Sequence, residues 1–394
     1  MKKRKITPQI SNQLNSKEVV VITGMRQVGK TTLLKHLFDQ VRSDNKLYLD
    51  LENPLYRKIF EKENYDAIWD DLTPLGINQI DRAYLFLDEI QNAPNLPKIV
   101  KYLFDHYQTK FFLTGSSSFY LKNLFSESLS SRKLIYELFP LDFGEFLTFK
   151  GLRQNFTTTK HSFKKLVKNK NKIQYQRLIK AYDEYMRFGG FPAVVLAPDR
   201  ETKENLLNQV FKSYFEIDVK NLADFKDLSK LRDLILLLVP RVGSKLDITK
   251  LANELRLTRP TIYAYLEFLE QTYLIKLLPK FSSVDRQKAG KKKLFFNDSG
   301  LANYLGQLSQ GALFEQSVFQ NLHSQHQLSY FYKNKAEIDF IVDEKHALEV
   351  KLSHTKQYEY NLKRRFKTLD KLSNYYLVTN NYHQSQRVIL ATDL

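Results

Sequence analysis

The chain has 394 residues, which predicts two to four domains that each bury a core of their own. Lys and Arg number 61 against 43 Asp and Glu, and the formal net charge of +18 makes polyanions, DNA first, the partners to consider. A compositional bias that only keeps the protein in solution explains the same charge. The lack of cysteine excludes disulfides and cysteine-based zinc sites. No apolar run of signal-peptide or membrane-spanning length follows the basic start, so we predict a cytoplasmic protein without a membrane partner.

A strand, a loop and a helix follow one another in VVVITGMRQVGKTTLLKHLF, residues 19–38. The loop fits the pattern G-x-x-x-x-G-K-[ST], in which backbone N–H groups wrap phosphates at a helix N-terminus. Lys30 is expected to reach the β and γ phosphates of ATP, and the Thr31 hydroxyl is expected to bind Mg²⁺. The predicted nucleotide contacts are Gly24, Met25, Arg26, Gln27, Val28, Gly29, Lys30, Thr31 and Thr32.

Two further apolar runs end in the polar groups that such a site needs. AYLFLDEI ends in Asp88, which would hold Mg²⁺ through water, and Glu89, which would polarise the attacking water. KFFLTGSSS ends in hydroxyl groups, of which Ser116 is the predicted contact of the γ phosphate, with Thr114 and Ser117 as neighbours that can share the role. An ordinary turn after a strand explains these small polar residues equally well.

Hydrolysis also needs a positive charge at the γ phosphate beyond the loop lysine. The same chain or a neighbouring subunit of a homo-oligomer can contribute it. Arg132 and Arg187 are the candidates, although either can be an ordinary surface arginine, because their spacing does not select between the two.

The middle of the chain changes character twice. Residues 151–205 are rich in lysine and helix formers, which predicts a helical lid over the nucleotide, although a solvated helix face explains the lysines too. LDITKLANELRLTRPTIYAYLEFLEQTYLI then has the form of a helix-turn-helix, and LIKLLPKF follows as a wing strand. The second helix of a DNA reader enters the major groove, and here it would present Arg259, Thr261 and Tyr263. Winged helices also serve as lid or dimer modules.

Near the C-terminus, EIDFIVDEKHALEVKL has the spacing of a metal-dependent nuclease site. Asp339 ends one predicted strand, while Glu349 and Lys351 project from one face of the next, because side chains alternate along a strand. Glu315 on an upstream helix is the candidate third acid. Mg²⁺ or Mn²⁺ held by Asp339, Glu349 and Glu315 would activate water beside Lys351. A charged hairpin on a basic protein is the alternative, since the loose spacing also arises by chance.

Five stretches along the chain carry a family resemblance: GMRQVGKTTLL, LFLDEIQN, LTGSSS, LFPLDFGEF and RFGGFP. Together they resemble the bacterial and archaeal AAA-type ATPases with a C-terminal domain of unknown function, DUF4143. Gly190, Phe191 and Pro192 also resemble the G-x-P signature of the STAND class of signalling ATPases, in which this segment lies beside the nucleotide. The resemblance therefore implies that Gly190 and Pro192 contact ATP.

The predicted fold class is α/β, with a parallel sheet in a P-loop NTPase core. We expect the ATPase core at 1–150, the lid with its GGFP segment at 151–205, a winged helix-turn-helix at 206–285 and a PD-(D/E)xK nuclease-like domain at 286–394. The predicted function is ATP hydrolysis coupled to an action on double-stranded or branched DNA, with cleavage if the C-terminal site is active. The alternatives are a STAND-like ATP switch whose C-terminal domain is an inactive partner-binding module, and a DNA translocase or branch-migration motor that does not cut.

Overall fold

The computed structural model describes residues 2–116, 132–154, 162–220, 227–282, 290–334, 336–369 and 372–394. The chain divides into two compact units. The first comprises Met1–Phe139, Tyr214–Ala223 and Gln271–Tyr273, and the second comprises Pro140–Ser213, Asp224–Glu270 and Leu274–Leu394. The four consecutive domains predicted above stay a prediction. Contacts between segments that are distant in sequence decide which parts share a unit, and local patterns do not report such contacts.

The first unit contains a parallel sheet, as predicted. Its strands are β1 (Val19–Thr23), β2 (Lys46–Asp50), β3 (Ala83–Asp88), β4 (Thr109–Gly115) and β5 (Lys133–Glu137), in the spatial order β2-β3-β4-β1-β5. All four neighbouring pairs run parallel. The central strands β1 and β4 are buried throughout, which is why they read as unbroken β-favouring runs.

Helices precede the first strand and connect the later ones. They are α1 (Thr7–Ser11), α2 (Lys30–Gln40), α3 (Pro54–Ile59), α4 (Ile68–Leu72) and α5 (Leu96–His106). A π-helical segment, Tyr214–Val219, joins this unit from much later in the sequence. Because parallel strands all end at one edge of the sheet, the loop after β1 and the polar residues that end β3 and β4 meet at that edge.

The first part of the second unit is mainly helical. Its helices are α6 (Phe143–Phe149), α7 (Phe163–Lys168), α8 (Lys172–Phe188), α9 (Pro192–Leu196), α10 (Arg200–Ser213), α11 (Leu228–Leu238), α12 (Ile248–Leu255) and α13 (Arg259–Gln271). The strands β6 (Ile275–Leu278) and β7 (Lys293–Phe296) then pair antiparallel. α12, a short turn, α13 and the β6–β7 pair have the order predicted for a helix-turn-helix with a wing. Ile262, Leu266 and Leu269 form the predicted buried stripe of α13.

The C-terminal part of this unit is a mixed sheet with flanking helices. Its elements are α14 (Ser299–Gly306), α15 (Gln310–His323), β8 (Leu328–Lys333), β9 (Ala336–Val342), β10 (His346–Lys351), α16 (Lys356–Phe366), β11 (Asn374–Thr379) and β12 (Val388–Leu390). β8, β9 and β10 pair antiparallel, whereas β10, β11 and β12 pair parallel.

Short 3₁₀ turns lie in both units, at Thr73–Leu75, Ile90–Asn92, Val239–Arg241 and Ala391–Asp393. Across the described ranges, no helix combines the length and apolarity needed to cross a membrane.

The GGFP segment is held inside the second unit by a buried carboxylate. Asp298 accepts hydrogen bonds from the backbone N–H groups of Gly190, at 2.7 Å, and Leu301, at 2.8 Å, and from the side chain of Gln320, at 3.2 Å. Burial raises the pKa of Asp298 to about 6, although these hydrogen bonds favour the charged form. The Gly190 carbonyl in turn accepts from the Leu141 N–H at 2.7 Å. Both backbone groups of Gly190 are therefore used within the unit.

Replacing Gly190 by alanine should destabilise the protein by about 1–3 kcal/mol, the usual cost of forcing extra atoms into a packed interior. The new Cβ would lie 2.2 Å from the carbonyl oxygen and 2.7 Å from the nitrogen of Leu141, and neither backbone atom can move aside cheaply. Urea unfolding followed by circular dichroism measures the change. Gly311→Ala is the matched control, because its Cβ meets no atom within 4 Å on α15. Equal midpoints for the two variants would contradict the packing account.

Candidate functional site

The loop between β1 and α2 has the backbone of a phosphate-binding loop. A Cβ on Gly24 would lie 2.1 Å from the Leu138 carbonyl oxygen, so the close approach of the backbone at Leu138 requires glycine at this position. Gly29 has φ +98° and open space beside it, so its backbone conformation, rather than crowding, favours glycine. α2 starts directly after Gly29, which leaves its first N–H groups free of partners within the helix. The other predicted contacts lie in this loop or in the first turn of α2: Met25, Arg26, Gln27, Val28, Lys30, Thr31 and Thr32.

Lys30 is the buried cation of the loop. It is 4% exposed, and its Nζ donates to the carbonyl oxygens of Gly24 and Met25, both at 3.0 Å. Burial lowers the pKa of Lys30, although the negative charges of Glu89 and Asp218 oppose the shift. The nearby acids thus compensate only part of the free-energy cost of burying this ammonium, so a bound anion beside Lys30 would be favourable.

Asp88 ends β3 with its carboxylate buried and hydrogen-bonded. The Tyr48 hydroxyl donates to Asp88 Oδ2 at 2.8 Å, and the Thr114 hydroxyl donates to Oδ1. Burial, followed by the hydrogen bond to Asp88, raises the pKa of Tyr48, so the phenol stays a donor. Asp88 and the start of α2, where Thr31 lies, belong to the same edge of the sheet, because β3 and β1 both flank β4 in parallel.

Glu89 follows in a left-handed backbone conformation, with φ +53°. Its N–H donates to the Thr114 hydroxyl at 3.3 Å. Gln91 donates to the Glu89 carboxylate and also, at 3.2 Å, to the hydroxyl of Ser116 at the end of β4. Glu89 and Ser116, predicted separately, are thus connected through one side chain. Gln91 had no motif signal, since its role depends on a turn that brings it back towards β4. Ser117 lies outside the described residues.

Asp218 is the most distant member of the site in sequence, and the sequence gives no motif for it. It lies in the π-helical segment, and its Oδ1 accepts from Arg26 Nε at 3.1 Å and from Ser116 Oγ at 2.9 Å. The Asp218 side chain is 4% exposed and that of Arg26 is 14% exposed. Burial raises the pKa of Asp218, while the charge of Arg26 and the hydrogen bond from Ser116 oppose the shift.

These residues fit a nucleotide with its magnesium ion. The loop offers backbone N–H groups and a buried lysine to phosphate oxygens. Mg²⁺ bound to phosphates needs only one or two protein ligands, with phosphate oxygens and water completing the shell. Thr31 and Asp88 supply oxygen ligands of that kind at the correct edge of the sheet.

Arg132, the first of the two candidate arginines, lies away from the loop of its own unit. The Arg132 carbonyl accepts from the Val19 N–H at 2.8 Å, so Arg132 lies beside the start of β1, whereas the loop follows its end about 16 Å away. Its guanidinium pairs with Asp105 at 3.0 Å. Arg132 directly precedes β5, which runs parallel to β1, so it lies at the edge of the sheet opposite the loop. A contact made in a neighbouring subunit stays a prediction.

Arg187, Gly190 and Pro192 belong to the second unit. Arg187 is exposed near the end of α8, and its carbonyl accepts from the Asn303 side chain at 3.3 Å. Gly190 uses its backbone groups within the unit, as described above, and Pro192 is the first residue of α9, where a missing N–H costs nothing. Packing accounts for this segment without a nucleotide, and its predicted contact with ATP stays a prediction.

The C-terminal residues Asp339, Glu349 and Lys351 lie together on β9 and β10. Lys351 Nζ is 3.5 Å from Asp339 Oδ2 and 3.2 Å from Glu349 Oε1. The Val350 N–H donates to Asp339 Oδ2 at 2.8 Å. Arg365 Nη1 lies 2.7 Å from Glu349 Oε2 and 3.0 Å from Oε1. The three side chains that the spacing argument selected thus lie beside one another, and Arg365 from α16, which that argument did not include, joins them.

Lys293 on β7 lies among the remaining acids and is 1% exposed. Its Nζ is 2.7 Å from Glu315 Oε1, 2.9 Å from Glu337 Oε1 and 3.5 Å from Asp339 Oδ1. Burial opposes the charge of Lys293, but Asp339 and Glu315 outweigh it and raise the pKa above the ordinary value of a lysine. Burial also opposes ionisation of Asp339, yet Lys293 and Lys351 lower its pKa. Lys293 is therefore a protonated ammonium among these carboxylates.

This cluster does not fit a bound divalent metal. The Lys293 ammonium occupies the position in which a metal cation would contact Glu315 and Asp339. Glu349 is paired with Arg365 and Lys351. Throughout the part of the chain that the structure describes, no group of three or more acidic, histidine or cysteine side chains is arranged to hold a metal ion. The predicted ligation of Mg²⁺ or Mn²⁺ by Glu315, Asp339 and Glu349 finds no support in this arrangement. Lys293 was missed because it stands in a run of lysines, GKKK, that reads as a solvated basic stretch.

The surface predicted to meet DNA lies on α13. Arg259 and Tyr263 are exposed, Tyr263 to 53%, and Thr261 is half-buried, with its N–H donating to the Thr258 hydroxyl at 3.3 Å. The turn before α13 contains Arg256 with φ +55°, which ends α12 sharply. Most of the basic stretch DRQKAGKKK that follows β6 lies outside the described residues.

Comparison with known families divides the chain into three matched regions. A model of an AAA domain matches residues 16–147, a domain of unknown function, DUF8612, matches residues 179–312, and a second, DUF4143, matches residues 310–392. The first region covers the sheet, the loop and Asp88, and the last covers the mixed sheet with Asp339, Glu349 and Lys351. The predicted resemblance to AAA-type proteins with DUF4143 is confirmed.

Two curated relatives match most of the chain. The uncharacterized protein MJ1544 of Methanocaldococcus jannaschii is 30% identical over 353 residues, which are 86% of this chain and 76% of that protein. An uncharacterized protein of Haemophilus influenzae is 30% identical over 300 residues, 73% and 68% of the two chains.

Among solved structures, the Aeropyrum pernix ORC1 protein in complex with DNA aligns over 76% of this chain and 90% of its own at 13% identity, with a TM-score of 0.31. The Thermotoga maritima RuvB Holliday junction branch migration motor aligns over 70% and 90% at 17% identity, with a TM-score of 0.33. Scores of this size support no inference about the chain. The sequence matches do: this chain belongs to the family of these archaeal and bacterial relatives and joins an AAA domain to a C-terminal DUF4143 domain.

Proposed function

We propose that the first unit binds ATP with Mg²⁺ and hydrolyses it, and that the protein uses this cycle to act on DNA. The observation that supports ATP hydrolysis best is the meeting of a buried loop lysine, Lys30, with the acids Asp88 and Glu89 at one edge of a parallel sheet. The match to an AAA domain over residues 16–147 agrees with it. Homo-oligomeric assembly and a cytoplasmic location stay predictions.

Each residue of the site has a separate proposed role in hydrolysis. N–H groups at the start of α2 and the Lys30 ammonium would hold the phosphates, and Thr31 and Asp88 would hold the metal, which would neutralise phosphate charge. Glu89 orients the attacking water and accepts its proton. Gln91, which donates to both Glu89 and Ser116, fixes the carboxylate relative to the end of β4. Thr114 and Tyr48 hold Asp88 in place.

Glu89→Gln should reduce ATP turnover by on the order of 10²–10⁴, since the amide cannot accept the proton of the attacking water. Nucleotide affinity should stay close to that of the wild type, because the phosphate-binding groups are intact. Lys30→Ala should instead lose nucleotide binding. Phosphate release and binding of a fluorescent ATP analogue, measured in parallel, separate the two effects.

The matched control for charge is Glu63→Gln, an exposed acid of the same unit. Wild-type turnover in Glu89→Gln would remove Glu89 from the mechanism. Failure of the wild type to bind or hydrolyse any nucleotide would refute the proposed function itself.

DNA is the proposed partner for two reasons. The chain carries a net charge of +18, and α13 presents Arg259 and Tyr263 to solvent from the second helix of a helix-turn-helix with an antiparallel β6–β7 pair behind it. In winged helices that read DNA, this helix lies in the major groove. A lid or dimer module is the alternative use of the same elements.

Arg259→Ala should weaken binding to double-stranded DNA roughly tenfold, the scale expected for loss of one direct contact. Fluorescence anisotropy over a range of salt concentrations measures it, and the salt dependence should become less steep if the contact is to phosphate. Arg200→Ala removes the same charge from an exposed position on α10 and serves as control. Equal losses for both variants would indicate a diffuse charge effect and count against α13 as the DNA-contacting surface.

For the C-terminal domain we infer binding without cleavage. The order of helix, three antiparallel strands, helix and parallel strand in α15 to β11 supports a PD-(D/E)xK-like fold. Lys293 nevertheless supplies the positive charge that the acids of such a site take from a metal. This favours an ATP-dependent switch or motor over an ATP-controlled nuclease.

The wild-type protein should therefore leave linear, circular and branched DNA intact in the presence of ATP and either Mg²⁺ or Mn²⁺. Gel analysis of the strands checks this, with Asp339→Ala as the companion variant and ATP turnover as proof that the protein is active. Cut strands that disappear in Asp339→Ala would overturn the inference and restore the nuclease. Cut strands that persist in the variant would indicate a contaminating enzyme.

A further inference from the structure

Asp218 places a buried carboxylate at the phosphate-binding loop. Its segment, Tyr214–Val219, lies almost two hundred residues after the loop in sequence, yet it clusters with the first unit. Asp218 Oδ1 accepts from Arg26 Nε at 3.1 Å and from Ser116 Oγ at 2.9 Å. One oxygen atom thus receives a charged donor from the loop and a hydroxyl donor from the end of β4.

These donors are the kind that a terminal phosphate uses. Arg26 stands between the two glycines of the loop, and Ser116 is the residue that the sequence predicts to contact the γ phosphate. The positive charge of Lys30 also acts on Asp218. A carboxylate oxygen and a phosphate oxygen share negative charge and the capacity to accept several hydrogen bonds, so they suit the same donors. A γ phosphate beside Asp218 would place like charges together in a buried site, which is unfavourable.

Arg26 also lies near a second acid, Glu52, and this longer, exposed contact does not prevent Arg26 from changing partners. Its Nη1 lies 3.8 Å from Glu52 Oε1, and the Glu52 side chain is 56% exposed. If Arg26 turns towards a phosphate, Glu52 can be solvated by water, whereas Asp218 is buried and cannot. When Arg26 moves to a phosphate, the unfavourable free energy is therefore that of the buried Asp218 carboxylate without its partner. This destabilises the segment that contains Asp218.

The other end of the segment has a separate anchor. The Tyr214 hydroxyl and the Thr272 hydroxyl lie 2.7 Å apart, and both residues are buried in the first unit. Tyr273 of the same short stretch donates to Glu137 at 3.0 Å. Loss of the Asp218 contacts would thus loosen one end of Tyr214–Val219 while the Tyr214 end stays held.

We propose that Asp218 sets the preference between nucleoside triphosphate and diphosphate, because its carboxylate competes with the γ phosphate for Arg26 and Ser116. ATP then displaces Asp218 and loosens its segment, whereas ADP, which lacks the γ phosphate, leaves both in place. This inference rests on the proposed function, since it requires that the loop binds ATP.

Titration of the full-length protein with fluorescent forms of a non-hydrolysable ATP analogue and of ADP tests the competition. Asp218→Asn keeps the shape of the side chain but removes its charge, so the preference for the ATP analogue over ADP should rise on the order of tenfold, the usual scale of coupling between sites. Glu216→Gln, on the exposed side of the same segment, should leave the preference unchanged. An unchanged or reduced preference in Asp218→Asn would overturn the proposal and make Asp218 a group that positions Arg26.

Hydrogen exchange of the wild type gives a second readout that needs no variant. Backbone amides of 214–220 should exchange faster with the ATP analogue than with ADP, and equal exchange would count against displacement. If the wild type binds neither nucleotide, the proposed function fails and this inference fails with it. If it binds both with unaltered exchange, only the role of Asp218 is refuted.

Discussion

The burial of Lys30 is the constraint on which the first unit depends. An ammonium held among Gly24 and Met25 carbonyls at the start of a helix loses its hydration, and nearby acids offset that loss only in part, as the lowered pKa shows. The surrounding groups are arranged accordingly. Ser116 follows β4, the strand beside β1, while Asp88 and Glu89 lie at the end of β3, on the other side of β4. Asp218 approaches from a remote segment. A bound polyphosphate would supply the negative charge that this arrangement still lacks.

A second buried lysine shows the opposite balance. Lys293 is as inaccessible as Lys30, but Glu315, Glu337 and Asp339 surround it at 2.7–3.5 Å, and its pKa is raised instead of lowered. Its charge is already compensated by the protein. Lys30 therefore marks a place for an external anion, whereas Lys293 takes the place of an external cation. This contrast is the physical reason for proposing an ATP site in the first unit and no metal-dependent cleavage by the second.

Buried carboxylates hold distant segments together in both units, with different consequences. Asp298 joins Gly190, Leu301 and Gln320 through neutral amide donors, and its partners are all internal to a packed core. Asp218 joins a charged arginine and a hydroxyl that both belong to the candidate ATP site. The first arrangement is suited to stability. The second is suited to exchange, because a stronger anion can take the same donors.

Sequence alone determined the elements that depend on local pattern. The strand, loop and helix around Gly24 to Thr31, the acids that end β3, the two helices with Leu251 and Leu269, and the same-face pair Glu349 and Lys351 all follow from periodicity and spacing, which reflect neighbours within a few residues of each other. The tertiary structure alone decided which residues from distant segments meet. Asp218, Gln91, Lys293 and Arg365 belong to the sites, and Arg132 lies at the edge of the sheet opposite the loop, because strand order and crossing segments fix those positions over separations that no local pattern encodes.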